Sequence, residues 1–169
     1  MTPFRFEHDF RAASAADVFT AYFDPEHIAE QDRRTEMVRR DVLELEDGPD
    51  QLRRVCKVVP RRQLPAILRP FIPGELGFVE RLVWHKADDR IDMTIEPSLL
   101  GGRTEIIATY ALVPAGPGLI RRVYEGHVTV EIRLIGRRIE AAILDDLGRS
   151  LEGAAQGTQA WLDHHRPTT

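Results

Sequence analysis

Between Gly136 and His165 apolar residues recur with a helical period, while almost everything before them alternates like strands. At about 100° per residue, Ile139, Ile143, Leu144, Leu147, Leu151, Ala154, Trp161 and Leu162 fall on one arc. Asp145, Arg149, Glu152, Gln156 and Gln159 fall opposite. A long closing helix after a run of half-buried strands narrows the architecture. It points to a curved antiparallel sheet that grips the helix, with room for an apolar ligand between them. Strands and helices kept apart in the sequence place the chain in the α+β class.

The strands can be read one by one. Phe4, Phe6, His8 and Phe10 alternate with Arg5, Glu7 and Asp9, the period of a strand with one buried face. Ser14 caps a helix in which Asp17 takes the place of the capping-box glutamate ahead of Val18, Phe19, Tyr22 and Phe23. Asp24-Pro25 stops it and starts a second short helix toward Arg33, with the proline at the first helical position. Strands follow at 36–46 and 51–59, separated by the turn Asp47-Gly48-Pro49-Asp50. Pro60, Pro65, Pro70 and Pro73 then break the rhythm. The stretch 60–74 reads as a loop with a helical turn at 64–69. Strands resume at 76–86, 89–96, 104–113 and 119–134.

Alternation assigns each strand an apolar face. Ile91, Met93 and Ile95 share one; Ile106, Ala108, Tyr110 and Leu112 the next; Tyr124, Val128, Val130, Ile132 and Leu134 the last. The strand at 76–86 allows two registers. The expected one turns Phe78, Leu82 and Trp84 inward and carries Glu80 with them; the other turns in Val79 and Val83 with Arg81 and His85. On the helix, Ser150, Ala154, Gly157 and Thr158 make the middle of the buried arc small-sided. That fits either a close approach to the sheet or space for a ligand. Glu140, at the edge of the arc, reads as a first-turn acid stabilised by the helix dipole, or as a buried acid holding a ligand's polar head, Arg137 or Arg138.

Composition excludes several classes. A net charge of −4 and a pI near 5.9 leave no electrostatic footprint for nucleic acid. The basic residues are mostly arginines, in pairs such as Arg33-Arg34, Arg53-Arg54 and Arg121-Arg122, which read as solvated faces. Lone Cys56 rules out an internal disulfide and fits a reducing, cytoplasmic setting. No apolar run is long enough to span a membrane, and the start resembles no signal peptide. The histidines show no metal-binding spacing, and no nucleophile elbow or phosphate loop occurs. No catalytic residue, metal or cofactor is therefore assigned. For an enzymatic reading, Glu80, Glu140, Tyr110 and Tyr124 are the acid–base candidates.

The opening strand Phe4–Phe10, the Ser14–Phe19 helix start, Asp24-Pro25-Glu26-His27-Ile28 and the helix ending in Trp161-Leu162 together resemble the START-like (SRPBCC, helix-grip) superfamily. Within it the chain looks most like an uncharacterised bacterial family whose closing helix carries Gly136, Ile139, Glu140, Leu151, Trp161 and Leu162. The resemblance covers the whole chain as a single domain, 1–169. It implies a seven-stranded antiparallel sheet wrapped around the C-terminal helix, with two short helices between strands 1 and 2 and a hydrophobic cavity. The expected ligand is a small hydrophobic molecule, lipid or polyketide-like. Its contacts are expected at Phe78, Leu82, Trp84, Met93, Ile95, Ile106, Ala108, Tyr110, Tyr124, Val128, Ile143, Leu147, Leu151 and Ala154. Leu64, Ile67, Leu68, Phe71 and Ile72 form an expected lid, whose exposure would also make a homodimer plausible. The alternatives are a cyclase/aromatase-type enzyme and a partner-binding module whose core is filled by Trp84, Phe78 and Trp161.

Overall fold

The computed structural model describes residues 1–61, 75–88, 90–98 and 101–165. The expected helical turn at 64–69 and the lid residues Leu64, Ile67, Leu68, Phe71 and Ile72 lie outside them.

Strand β1 (Thr2–Arg11) alternates in burial as its sequence alternates in polarity. Helix α1 (Ala15–Phe23) starts on the capping box: the Ser14 hydroxyl accepts the Asp17 N–H, and the Asp17 carboxylate accepts the Ser14 N–H. Helix α2 (Pro25–Arg34) follows at once, capped by Asp24, whose carboxylate accepts the N–H groups of Glu26 and His27. Strands β2 (Met37–Asp47), β3 (Gln51–Pro60), β4 (Phe78–His85), β5 (Arg90–Pro97), β6 (Thr104–Gly116) and β7 (Leu119–Val130) form antiparallel neighbours in sequence. β1 closes the order β1-β7-β6-β5-β4-β3-β2 by pairing with β7. The α1–α2 excursion therefore carries the chain from one edge of the sheet to the other. Helix α3 (Gly136–His164) lies across the sheet and packs on β1, β7, α1 and α2.

One close approach between strands depends on a missing side chain. A Cβ at Gly126 would stand 2.0 Å from the Ile107 carbonyl oxygen and 2.7 Å from the Ala108 Cα. Only glycine lets β6 and β7 come together there.

Three expectations fail at the sheet-to-helix junction. The last strand stops at Val130, not at residue 134. The chain has to reverse within five residues to lay α3 back under the sheet, and Ile132 N–H to Val130 C=O and Gly136 N–H to Ile132 C=O bonds close that turn. Leu134, expected on the apolar face, sits in the turn at φ 72° and is fully exposed. Ile132 is half-buried in the same turn. Glu140 belongs to the second turn of α3, so its stabilisation is not that of a first-turn acid.

Among the described residues no helix is long and apolar enough to cross a membrane. The exposed large apolar side chains concentrate on the edge strand β2, at Val38, Val42, Leu43 and Leu45.

Candidate functional site

Between the sheet and α3 lies a cavity of about 260 Å³. Eleven of the fourteen expected contact residues line it: Phe78 and Leu82 from β4; Met93 and Ile95 from β5; Ile106 and Tyr110 from β6; Tyr124 from β7; and Ile143, Leu147, Leu151 and Ala154 from α3. The inward register of β4 is thus the one carrying Phe78, Leu82 and Glu80, while Arg81 is exposed. The other three expected residues lie elsewhere. Trp84 is taken up by α1, its ring stacked on Phe19 at 4.9 Å and on Phe23 at 5.2 Å. Val128 is fully buried in a cluster with Ile106, Val130, Ile139 and Ile143. Ala108 is buried opposite Gly126, where β6 and β7 close together.

The small-sided middle of α3 divides between two tasks. Ser150 and Ala154 face the cavity. Gly157 and Thr158 face α2 rather than the sheet: a Cβ at Gly157 would meet the Arg34 side chain at 3.1 Å, and the Thr158 hydroxyl is 3.0 Å from Nε2 of His27. Close helix approach and open volume are therefore both present, one turn apart.

Trp84 and Trp161 do not fill the space. Trp161 sits at the far end of α3, stacked on His165.

The cavity also holds polar groups that apolar patterning alone leaves out. Arg40 grips the Asp32 carboxylate through Nε at 3.0 Å and Nη2 at 2.8 Å, and reaches Glu80 at 3.2 Å. Arg54 lies 3.6 Å from the same Glu80 oxygen. Burial alone would lower the Arg40 pKa, but the Glu80 and Asp32 charges outweigh it and raise it. Glu80 is thus held between two guanidiniums. Arg122 enters from β7, 3% exposed, with the faces of Phe10 and Tyr110 beside it. Its Nη1 donates to the hydroxyl oxygen of Tyr22, from α1, at 3.2 Å.

Both inward tyrosines remain protonated. Burial pushes the Tyr110 phenol well above its usual pKa, with Tyr22 adding to the shift and Arg122 opposing it. Burial, followed by the Glu80 charge, raises Tyr124 as well, and its hydroxyl meets the Met93 sulfur at 3.3 Å.

Glu140 is not part of this site. Its carboxylate is 1% exposed and accepts the Val130 N–H at 3.0 Å, the Thr2 hydroxyl and the Met1 ammonium. Burial works against the charge, yet these three donors lower its pKa. It ties α3 to the ends of β1 and β7.

Reading arginine pairs as solvated hides Arg40, Arg54 and Arg122. For Arg122 the signal is present in the alternation: it shares its parity with Ile120, Tyr124 and Val128, whereas Arg121 points out to Asp9 at 2.7 Å. Among the described residues no group of three or more His, Cys, Asp or Glu side chains is placed to hold a metal ion.

A seven-stranded antiparallel sheet wrapped on a long C-terminal helix, with two short helices after the first strand, is the START-like helix-grip fold. Solved structures agree on the fold. The protein TTHA0849 from Thermus thermophilus superposes with a TM-score of 0.66 at 15% identity, over 94% of this chain and 98% of that one. A START superfamily protein from Mycobacterium smegmatis gives 0.60 at 16% identity, over 98% and 100%. The Zhui aromatase/cyclase from Streptomyces sp. R1128 gives 0.63 at 9% identity, over 96% and 94%. Residues 5–162 match the family described as protein of unknown function DUF2505, and the chain belongs to that family. A comparison with curated proteins finds no match.

Proposed function

We propose that this protein binds a small hydrophobic molecule in the cavity between its sheet and α3. One observation carries the reading: about 260 Å³ of space remains among inward side chains that are mainly apolar, in a fold whose closing helix narrows where it faces that space. The volume lies near the lower end of the range for small-molecule sites, about 300 Å³. Burying eight methylenes there contributes roughly 6 kcal/mol, enough to offset much of the cost of association. A lipid-like or polyketide-like ligand of modest size fits these terms. A cytoplasmic setting belongs to the same proposal, supported by the lone, buried Cys56.

The cyclase-type alternative receives less support from the geometry. Glu80 is ion-paired, Glu140 lies outside the cavity, and Tyr110 and Tyr124 are held in their protonated forms.

Native mass spectrometry of freshly purified protein, followed by displacement of an environment-sensitive fluorophore, tests the proposal. A co-purifying small molecule, or saturable binding that Ala154→Leu weakens about 10-fold or more, supports it. An unliganded mass together with no displacement by fatty acids, sterols or aromatic polyketides sinks it.

A further inference from the structure

The charged groups lining the cavity are not all balanced. Asp32, Glu80, Arg40 and Arg54 form a closed set of two anions and two cations. Asp146, which also lines the cavity, pairs with Arg149 at 3.2 Å. Arg122 is different: among the described residues no carboxylate lies within ion-pair distance of it. Its neighbours are neutral. Nη1 donates to the Tyr22 hydroxyl, and Nη2 donates to the Leu151 carbonyl at 2.9 Å and to His8 Nδ1 at 2.9 Å.

His8 does not supply the missing charge. An arginine has no acceptor, so His8 Nδ1 must accept and its ring proton sits on Nε2, toward Glu152 at 3.5 Å. Burial, followed by the Arg122 charge, lowers the His8 pKa and keeps the ring neutral. Those three bonds engage three of the five guanidinium N–H groups. Among the described residues the Nε–H has no hydrogen-bond partner within 3.5 Å, and neither does the hydroxyl of Tyr110, itself only 4% exposed. Arg122 and Tyr110 both line the cavity. A buried cation without a counter-charge is costly, and so is a buried donor without an acceptor. An anionic group bound in the cavity would supply the missing counter-charge.

We infer that the cavity's ligand is an apolar organic acid whose carboxylate is received by Arg122 and Tyr110. The inference rests on the proposed binding of a hydrophobic molecule and adds the chemistry of its polar end. Its apolar body lies against Ile106, Ile143, Leu147 and Leu151. The Arg40–Asp32–Glu80–Arg54 set holds two carboxylates of its own, so its guanidiniums are less attractive to an anion than Arg122.

Isothermal titration with octanoate, octanol, octanamide and octylamine separates the head group from the tail. Octanoate is expected to bind about 10-fold or more tightly than octanol, the ratio that a charge-assisted hydrogen bond gives, and octylamine most weakly. Tyr110→Phe removes only a hydroxyl and is expected to weaken octanoate several-fold and to narrow the ratio between octanoate and octanol. Arg122→Gln is expected to erase the acid preference altogether; circular dichroism establishes that each variant is folded. Equal affinities for octanoate and octanol in the unmodified protein overturn the inference and leave the binding reading standing. So does an acid preference that survives in Tyr110→Phe when Arg122→Gln does not fold, or in both variants when they do. Binding of none of the four compounds overturns the inference and the reading beneath it together.

Discussion

Nε2 of His27 and the hydroxyl of Thr158 lie 3.0 Å apart in the seam between α2 and α3. The Thr158 hydroxyl proton is directed at the Ala154 carbonyl, 2.9 Å away, so the ring donates and the oxygen accepts. Gln31 Nε2 donates to the same oxygen at 3.1 Å. His27 is fully buried, and among the described residues its Nδ1 has no hydrogen-bond partner within 3.5 Å. Burial lowers its pKa to about 4, with Asp24 and the Ala21 carbonyl opposing the shift only partly.

That depression makes stability depend on pH. Below about 6.5 the unfolded chain protonates His27 while the folded chain does not, so unfolding takes up a proton. Stability is complete above that pH and declines as pH falls toward 4, by about 3 kcal/mol at most. His27→Gln keeps a donor for Thr158 and does not titrate. Urea denaturation at a series of pH values should show a shallower slope for the variant between 4 and 6.5; identical slopes would show that His27 is not the group responsible.

Glu140 is expected to matter for stability and not for binding. Glu140→Ala leaves the buried Val130 N–H without an acceptor and should cost about 3 kcal/mol. Glu140→Gln retains an acceptor oxygen and should lose about 1 kcal/mol. Chemical denaturation measures both, and octanoate affinity should be the same in Glu140→Gln as in the parent. A selective loss of ligand binding would return Glu140 to the site.

Gly126→Ala should be among the most damaging single-atom additions. The new methyl would collide with the β6 backbone, which cannot move without breaking the ladder between Ala108 and Gly126. A loss of more than about 3 kcal/mol is expected. A melting temperature within a few degrees of the parent would contradict the close approach.

Ala154→Leu should do the reverse. Its side chain enters existing space, so stability should be unchanged or slightly higher. Probe affinity should fall about 10-fold or more. Thermal melting and probe titration report the two effects separately, and a destabilised variant with intact binding would mean that Ala154 faces packed protein.

Secondary structure is readable because periodicity is a local property. The Ser14 and Asp24 caps, the alternation of β1 and the long arc of α3 are each set within a few residues, and each appears where expected. The inward set of β4 is readable for a similar reason, since Phe78, Leu82 and Trp84 share one parity. The same rule reaches Arg122, where the expectation that paired arginines are solvated overrides it.

The sequence alone determined the order of elements, the face each presents and the helix-grip class that follows from them. Tertiary structure decided how those faces are divided. Gly157 and Thr158 meet α2 while Ser150 and Ala154, on the same arc, meet open space. Trp84 goes to α1 while Phe78 and Leu82, on the same strand face, go to the cavity. Charge was divided in the same way, with Arg40 given two carboxylates and Arg122 none among the described residues. Periodicity states only that a side chain is turned inward. Which neighbour it meets depends on distances between segments far apart in the chain, and those are set by the packing of the whole sheet on α3.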